Sequence, residues 1–560
     1  MITIQGKGVS TGVAAGPLYF YQRANTTLRR YEVTDREAEW LRFKDAQAKA
    51  IEQLGVLAEK ARAEAGDEAA MLFETHQMMC EDMDYEESIE GFIKESGINA
   101  EAAVADAGAI QAEAFASMDD DYFKARSADV KDISGRIVGI LMGVVQGGID
   151  SDVPVILASD DLAPSETVQL DKSKILGFVT SGGSGSSHTA ILARTMGIPA
   201  IIGVGDQLKA EYQGRDVIVD GGTGSVVLDA DAETRARMMK KREELLKRQE
   251  LLNRLKGQPS VSADGQKLRV YCNIGNPEDV HAVLENDGGG IGLFRSEFLY
   301  LNCDDYPSED YQFEAYKKVL SDMGGKEVVI RTLDIGADKM IEYFKLPPEE
   351  NPALGNRALR ICLNRPEIFR TQLRALYRAS AYGRLSIMFP MVASVWEVRE
   401  AKKMCEQVKR ELTAEGIPFS DEVDVGIMIE TPAAAVISDR LAKEVDFFSI
   451  GTNDLTQYTT ACDRQNNDLG RFFNAHHPAV LRLIKMACDN AHKAGIWCGI
   501  CGELGADLEL TELFLSIGLD ELSVSPRAVL PLRQKVRETQ VRVVREKLLG
   551  ELTSGENSMD

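Results

Sequence analysis

From Gln266 onward, short strand-like segments alternate with longer helical patterns. This alternation is typical of α/β proteins, in which it gives a parallel sheet. There are eight strand-like segments, and about 300 residues with this pattern predict a (β/α)8 barrel. Their sequences are LRVYCNIG, GIGLFRSEF, EVVIRTLDIG, LSIMFPMV, DVGIMIETP, VDFFSIGTND, IWCGICGEL and ELSVSP.

The first half of the chain changes composition several times. An apolar, Gly-rich stretch from Val9 to Phe20 precedes a strongly helical one, and short apolar strands return from Val153. Because the N-terminal strands resemble no independent domain, we expect them to join the later strands, with an all-α subdomain inserted between. The fold class is therefore multidomain α/β. The expected domains are an N-terminal α/β domain of residues 1–33 and 143–230, a helical insertion of residues 34–142, a linker helix of residues 231–260, and the barrel of residues 261–560.

The linker segment from Asp231 to Leu255 is charged nearly all round. A long helix of this kind commonly bridges domains, although a solvated helix on one domain is the alternative.

Composition limits the class of protein. A length of 560 residues allows roughly three or four domains, and 44% apolar with 27% charged residues is typical of a soluble globular chain. No apolar run is long enough for a membrane span, and no secretory leader is visible, so we expect a protein without a membrane span. The nine cysteines are scattered, which suits reduced thiols, so we expect a cytoplasmic protein. A formal charge of −24 argues against nucleic acid as a partner and favours a basic protein.

In a (β/α)8 barrel the C-terminal ends of the strands form the active site. Several polar residues stand at these ends in the predicted strands, and we expect them to converge on one mouth. They are Asn273, Arg295 with Glu297, Arg331 with Asp334, Glu430, Asn453 with Asp454, and Cys501 with Glu503.

Glu430 and Asp454 end two consecutive strands. A pair of carboxylates with few other ligands suits Mg²⁺, which keeps waters and takes substrate oxygens. Arginine side chains present two-pronged donors that match phosphate and carboxylate groups, so Arg295, Arg331 and Arg464 suit a small, multiply charged anion. The alternative for each arginine is an ion pair with a barrel carboxylate. Zinc is not expected, because the histidines of this half lie away from the strand ends: His281, His476, His477 and His492.

Two cysteines lie in the seventh strand-like segment, and Cys498 and Cys501 should face opposite sides because they are three positions apart. A strand cysteine is commonly a small buried apolar residue. The polar residues that follow Cys501 favour a functional thiol that acts as a general acid.

His188 follows the loop SGGSGSS and directly precedes the predicted helix TAILARTMG. Backbone N–H groups and the helix dipole favour an anion at such a helix start, including a phosphate carried on the ring. A neutral imidazole is also a nucleophile near physiological pH. The alternative is a histidine that merely fills a turn.

The segments DFFSIGTNDLTQYT and GGSGSSHTAILARTMGIPAIIG resemble the signatures of the phosphoenolpyruvate-utilising enzymes. The order of domains resembles that of the enzyme I family of the bacterial sugar phosphotransferase system. This resemblance implies that His188 takes the phosphoryl group of phosphoenolpyruvate (PEP) on Nε2, releases pyruvate and passes the group to the carrier protein HPr. It also implies a homodimer formed through the barrel.

The resemblance implies roles for individual residues. PEP would be held by Arg295, Arg331, Asn453 and Arg464, with Arg357 as a further arginine near the site. Glu430 and Asp454 would bind Mg²⁺, with Asp454 close to the substrate, and Cys501 would protonate the enolpyruvate.

One motif departs from the family pattern. Many relatives read GGRTSH where this chain has GSGSSH, so that Gly185 replaces an arginine that would help to neutralise the phosphohistidine. Two alternatives remain for the whole chain. One is a PEP synthase or pyruvate phosphate dikinase, which would need a nucleotide-binding domain, and the other is a non-catalytic docking protein.

Overall fold

A computed structural model describes residues 1–21, 28–65, 67–117, 121–143, 151–163, 166–167, 170–183, 187–301, 303–336, 341–464 and 466–554. The chain divides into two units, Met1–Arg248 and Gln249–Asp560. Each unit has hydrophobic clusters of its own.

The strands of the first unit form one mixed sheet with the order β1-β8-β7-β3-β4-β5-β6-β2. Strand β3 pairs parallel with β4 and antiparallel with β7, so strands from before and after the helical segment share one sheet. The predicted α/β domain with an inserted all-α subdomain is confirmed. The strands are β1 (Ile2–Gln5), β2 (Lys7–Ser10), β3 (Val13–Phe20), β4 (Val155–Ser159), β5 (Ile175–Thr180), β6 (Ala200–Ile202), β7 (Asp216–Asp220) and β8 (Ser225–Leu228).

The inserted subdomain is a bundle of helices around an apolar core that includes Phe43, Leu54, Phe73, Ile93 and Ile137. A single π-helical turn, Gly91–Glu95, follows the third helix. The helices are α1 (Arg36–Ala65), α2 (Asp67–Cys80), α3 (Met83–Glu90), α4 (Ala100–Ala116) and α5 (Asp121–Leu141).

The described part of the region before the barrel also contains α6 (His188–Met196) and α7 (Ala232–Asn253). The first part of α7 rests on the sheet, because Met238 packs with Val13, Ile218 and Val227. Lys241 also pairs with the buried carboxylate of Asp220 at 2.5 Å. The division between the two units falls within α7.

The second unit is a closed barrel of parallel strands, in which β16 returns to pair with β9. The predicted (β/α)8 barrel is confirmed, and each of the eight predicted segments contains one strand. The strands are β9 (Arg269–Ile274), β10 (Ile291–Arg295), β11 (Val328–Arg331), β12 (Leu385–Phe389), β13 (Asp424–Ile429), β14 (Phe447–Ile450), β15 (Trp497–Ile500) and β16 (Glu521–Val524).

Helices surround the barrel. Ser394 and Glu397 form a reciprocal capping box at the start of one long helix, which ends at Gly416 in the left-handed conformation. The helices are α8 (Asp279–Glu285), α9 (Phe298–Leu301), α10 (Glu309–Asp322), α11 (Leu359–Asn364), α12 (Pro366–Ala379), α13 (Val395–Glu415), α14 (Pro432–Val436), α15 (Ser438–Leu441), α16 (Thr452–Thr460), α17 (Pro478–Ala494), α18 (Thr511–Ile517), α19 (Val529–Glu538) and α20 (Val541–Ser554).

Side chains alternate between the lumen and the helix layer along each strand. In β14, Phe447 belongs to the cluster inside the barrel, whereas Phe448 belongs to the cluster under the helices. The lumen is filled, as in other barrels of this class, and is not a pore. Its apolar residues include Leu293, Val329, Met388, Met428 and Phe447.

All nine cysteines are free; eight are buried and Cys303 is partly exposed. Among the helices that the structure describes, none is both long enough and apolar enough to cross a membrane.

Candidate active site at the barrel mouth

Arg331 is the last residue of β11, and its side chain is only 7% exposed. Its guanidinium pairs with Glu297, which follows the neighbouring strand β10, and with Oδ2 of Asp334 at 2.9 Å. These contacts connect two strand ends through one buried arginine. They fix the guanidinium in place without the help of a ligand.

Arg357 extends the same network. Its Nη2 donates to Oδ1 of Asp334 at 3.0 Å, and its Nη1 lies 3.8 Å from Oδ1 of Asp454 and 3.3 Å from the hydroxyl of Tyr458. Asp454 and Tyr458 are one turn apart on α16, so that helix presents both groups to the arginine.

Burial alone would lower the pKa values of both guanidinium groups. Asp334 opposes that effect at each of them, and the net result is that the pKa of Arg331 and the pKa of Arg357 are raised. Both side chains therefore remain cationic, and a buried fixed cation is suited to binding an anion.

Glu430 directly follows β13 and is 1% exposed. Burial raises its pKa to about 8, with Asp454 and Asp334 adding to the rise. One carboxyl oxygen accepts a hydrogen bond from the backbone N–H of Met391 at 2.6 Å. The glycine of the GTND turn makes room for this side chain, because a Cβ on Gly451 would lie 2.9 Å from Oε2 of Glu430.

Cys501 follows β15 and lies in the lumen cluster, whereas Cys498 belongs to the cluster under the helices. The two thiols thus face opposite sides of the barrel wall. Burial raises the pKa of Cys501 to about 12, so its sulfur keeps its proton at physiological pH. The backbone carbonyl of Cys501 accepts a hydrogen bond from the amide of Asn273 at 2.9 Å, which holds this strand end against β9.

Arg295 and Arg464 differ from the buried arginines. Arg295 stands beside Arg331 in the register of β10 and β11, yet its side chain is exposed. Among the described residues, neither Arg295 nor Arg464 has a carboxylate partner for its guanidinium. The backbone N–H of Arg464 donates a hydrogen bond to Oε1 of Gln457 at 3.1 Å. The two side chains are therefore free to meet a ligand.

Asn453 lies in the first turn of α16, and its Oδ1 accepts a hydrogen bond from the backbone N–H of Glu503 at 3.2 Å. This contact leaves the side-chain amide group of Asn453 as a donor. A cavity of about 390 Å³ opens beside it, lined by Asn453, Thr456, Phe473, Ala475, His476, Glu503, Leu504, Ala506 and Asp507.

His188 is the first residue of α6, and Ser187 caps this helix by accepting from the backbone N–H of Ala190. Its backbone position is the helix start that the sequence predicts. The His188 side chain and residues 184–186, where the loop departs from the family pattern, lie outside the described part of the chain.

The structure thus brings together Glu297, Arg331, Asp334, Arg357, Glu430 and Asp454, and it places Cys501 and Asn453 on neighbouring strand ends. Sequence reasoning missed two partners of this network, Tyr458 and the Met391 N–H. Tyr458 could have been found, since it lies four positions after Asp454 on a predicted helix. Met391 has no such signal, because its role depends on a left-handed backbone with φ of 56°.

The donors suit a divalent cation of the magnesium type. Asp454 lies close enough to Glu430 to raise its pKa, and among the described residues no group of three or more His, Cys, Asp or Glu side chains is arranged to hold a metal ion. Two carboxylates with the remaining positions open match a hard cation that retains water and substrate oxygens. The carboxylates Glu297, Asp334, Glu430 and Asp454 also outnumber the two buried arginines of the network, Arg331 and Arg357, so an anionic ligand would benefit from an added cation.

Three family descriptions match the chain. They are the PEP-binding domain of PEP-utilising enzymes over residues 249–541, their N-terminal domain over residues 5–126, and their mobile domain over residues 152–224.

Individual proteins agree with these matches. The chain is 42% identical over 560 residues to the phosphoenolpyruvate-protein phosphotransferase of Bacillus subtilis (strain 168), covering 99% of this chain and 98% of the relative. It is 43% identical over 536 residues to the protein of the same name from Priestia megaterium, covering 96% and 94%. A solution structure described as Enzyme I matches 43% of this chain and 99% of its own at 33% identity, with a TM-score of 0.37. This near full-length identity establishes that the chain belongs to the phosphoenolpyruvate-protein phosphotransferase family of PEP-utilising enzymes.

Proposed function

We propose that this enzyme transfers the phosphoryl group of PEP to its own His188 and then to the carrier protein HPr, releasing pyruvate. The observation that carries the proposal is the 42% identity, over nearly its full length, to a protein named phosphoenolpyruvate-protein phosphotransferase. The domains that we assign to this reaction are residues 1–33 with 143–230 for His188, residues 34–142 for HPr, residues 231–260 as linker and residues 261–560 for PEP.

In the barrel, Arg331 would hold the PEP anion from a fixed position, because Glu297 and Asp334 already orient its guanidinium. The exposed Arg295 and Arg464 would contact PEP from the solvent side. The side-chain amide of Asn453 would donate a hydrogen bond to an oxygen of PEP. In phosphoryl transfer the protein acts mainly by aligning the reacting groups and stabilising their charge, and these side chains would do both.

Glu430 and Asp454 would hold Mg²⁺, which when bound supplies positive charge to the phosphate and carboxylate oxygens of PEP. The amide of Met391 helps to orient Glu430 by donating to its carboxylate. Arg357 opposes Asp454 at 3.8 Å and leaves that carboxylate only weakly paired, so it remains available as a ligand.

His188 would attack the phosphorus atom, so that a P–N bond forms while the bond between phosphorus and the enol oxygen breaks. The helix start at His188 offers backbone N–H groups and the positive end of a dipole to the phosphate that results. His188 belongs to the first unit and the PEP site to the second, so transfer requires that His188 reach the barrel mouth and afterwards the carrier.

Cys501 would protonate C3 of the enolpyruvate that remains. Its thiol is protonated at physiological pH, since burial raises its pKa to about 12. In this step the S–H bond breaks and a C–H bond forms, giving pyruvate.

The helical insertion would dock HPr. Several methionines of this subdomain are more than half exposed: Met71, Met78 and Met83. Exposed methionines adapt to a partner surface, and acidic neighbours such as Glu81 would favour a basic carrier. A Met78→Lys change should weaken phosphoryl transfer to HPr, because it removes an apolar contact and repels a basic carrier, and it should leave labelling by PEP unchanged.

Labelling with radioactive PEP and Mg²⁺ tests the proposal. The wild-type chain should acquire one acid-labile phosphate and pass it to purified HPr, and His188→Ala should acquire none. His281→Ala is the matched control, because His281 is an exposed histidine of the barrel half. Undiminished labelling of His188→Ala would refute the acceptor, and formation of ATP from AMP would favour a synthase or dikinase. The homodimer and the cytoplasmic location belong to the same proposal, and light scattering of the purified protein tests the dimer.

A further inference from the structure

Glu521, the first residue of β16, directs its side chain into the barrel lumen and is fully buried. Two glycines on other strands make room for it. A Cβ on Gly292 of β10 would lie 2.0 Å from Oε1 of Glu521, and a Cβ on Gly499 of β15 would lie 2.0 Å from Oε2. The carboxyl group is therefore held between two strand backbones inside the barrel.

Neither carboxyl oxygen of Glu521 has a hydrogen-bond partner among the described residues, and the same holds for the buried hydroxyl of Ser449. A bare carboxylate in such surroundings is very unfavourable, whereas a protonated carboxyl group is much less so. These three unpartnered atoms differ from other polar groups on the lumen side of the strands, such as the hydroxyls of Ser386 and Ser523, which are hydrogen-bonded.

The titratable groups around Glu521 are Arg269, Tyr271, Cys272, Glu327, Cys498, Cys501 and Asp520. Burial raises the pKa of Glu521 to about 8; Arg269 opposes the rise, while Glu327 and Asp520 add to it. Nη1 of Arg269 lies 3.4 Å from Oε2 of Glu327, and Cζ of Arg269 lies 4.2 Å from the ring centre of Trp497. Arg269 therefore has partners other than Glu521. Glu521 is thus a protonated acid at neutral pH.

Glu521, Gly499 and Ser449 stand at one level of three adjacent strands. Ser449 stands directly opposite Gly499 in the register of β14 and β15, next to the place where Oε2 of Glu521 lies. Cys501 follows two positions after Gly499 on the same side of the wall. The Ser449 hydroxyl lowers the pKa of the Cys501 thiol, although its geometry falls short of a hydrogen bond.

We propose that Glu521 is an internal proton store that reprotonates Cys501 through Ser449 after each turnover. This proposal rests on the proposed function, in which Cys501 protonates enolpyruvate. Glu521 does not touch the substrate and acts only through Cys501.

The transfer balances. When the Cys501 S–H bond breaks, the proton forms the new C–H bond of pyruvate and a thiolate remains. The thiolate takes the hydroxyl proton of Ser449, while Ser449 takes the carboxyl proton of Glu521. The net change is one proton moved from oxygen to sulfur, and the Glu521 carboxylate regains a proton from water before the next turnover.

The direction of transfer is favourable, because a carboxyl group with a pKa of about 8 gives its proton to a thiolate whose thiol has a pKa of about 12. The arrangement also explains why the acid lies inside the barrel. A proton kept there can reach the sulfur while the ligand still covers the mouth.

Glu521→Gln tests the store, because it keeps the shape of the side chain and cannot supply the proton. In rapid mixing with PEP, the first labelling of His188 should stay within about twofold of wild type, since Cys501 begins protonated. Steady-state pyruvate production with HPr should fall by about tenfold or more. The wild-type rate should also decline as pH rises through about 8, and this decline should be absent in the variant.

Infrared spectroscopy detects the protonated carboxyl group of Glu521 directly, and a purely structural role of Glu521 would not require that proton. At pH 7 the difference spectrum between wild type and Glu521→Gln should show the carbonyl band of a protonated Glu521 carboxyl group, because the subtraction removes the band of Glu430, whose pKa burial also raises to about 8. Glu538→Gln, which changes an exposed glutamate of the barrel half, should keep both the band and the turnover. Should Glu521→Gln fail to fold, Ser449→Ala should show the same slow turnover with the band retained.

An unchanged steady-state rate and pH profile in Glu521→Gln, or no Glu521 carboxylic acid band in the difference spectrum, would overturn the proton store. Loss of the first labelling in a variant with native melting would also overturn it, because Glu521 would then shape the site instead. If the wild type showed the band but did not label His188, the proposed function would be refuted, whereas the protonated state of Glu521 would still be supported.

Discussion

Nη2 of Arg357 donates to Oδ1 of Asp334 at 3.0 Å. The second oxygen of Asp334 lies 2.9 Å from Nη1 of Arg331. One buried carboxylate therefore orients two cations at the barrel mouth, and its negative charge helps to keep both of them protonated.

Asp334→Asn should lower kcat/KM for PEP by about 10- to 100-fold, because Arg357 would lose its carboxylate partner at 3.0 Å and Arg331 would keep only Glu297 of its two. The melting temperature should fall as well, since the change disrupts a buried ion pair. Asp310→Asn is the control, because Asp310 pairs with Arg378 at the surface, where its side chain is 82% exposed. Equal kcat/KM values in the two variants would show that Asp334 does not orient the site.

Arg295→Gln should separate binding from stability. This exposed guanidinium has no carboxylate partner among the described residues, so its removal should leave the melting temperature unchanged. If it holds PEP, kcat/KM should drop by about 10²- to 10³-fold, the cost of losing one charge-stabilising donor. Arg384→Gln provides the comparison, because Arg384 is an exposed arginine beside Glu327. A drop in melting temperature with unchanged kinetics would contradict the assignment.

Glu430→Gln should raise the Mg²⁺ concentration required for half-maximal activity by at least about tenfold. The variant keeps the size of the side chain and removes one of two anionic ligands. A magnesium titration of PEP-dependent labelling measures the effect, and Glu509→Gln, a change at an exposed carboxylate, serves as control. Identical titration curves for Glu430→Gln and wild type would remove Glu430 from the metal site.

Glu521→Gln should change how stability depends on pH. The folded protein binds the Glu521 proton more tightly than the unfolded chain, because burial raises the pKa to about 8. The unfolded chain binds fewer protons between pH of about 4.3 and 8, so the free energy of unfolding of the wild type falls as pH rises through that window.

The variant lacks the part of this decline that Glu521 causes, whereas the part caused by Glu430 is common to both proteins. The stability of the variant relative to wild type should therefore rise by about 3–4 kcal/mol from pH 5 to pH 8. Denaturant unfolding at the two pH values gives the comparison. Parallel curves for the two proteins would mean that Glu521 titrates normally.

The sequence predicted the barrel well because its signal is local. Each strand is a short apolar run, and residues such as Arg331 and Glu430 stand where a run ends. Likewise, Ser187 and His188 mark a helix start that needs no tertiary information.

Contacts between strands were harder to predict. Arg331 pairs with Glu297 only because β10 and β11 are neighbours with a particular register, and no pattern in either segment specifies that pair. Glu521 was missed for a similar reason. In ELSVSP a leading glutamate is typical of an exposed strand end, and only the glycines on β10 and β15 create space for it inside.

The distribution of cysteines has a practical consequence. Since Cys303 is the one thiol of the nine that is not buried, a maleimide fluorophore should attach there before it reacts elsewhere. An acceptor dye placed on the first unit would then make energy transfer a direct reporter of the distance between the two units, followed in real time while PEP is consumed.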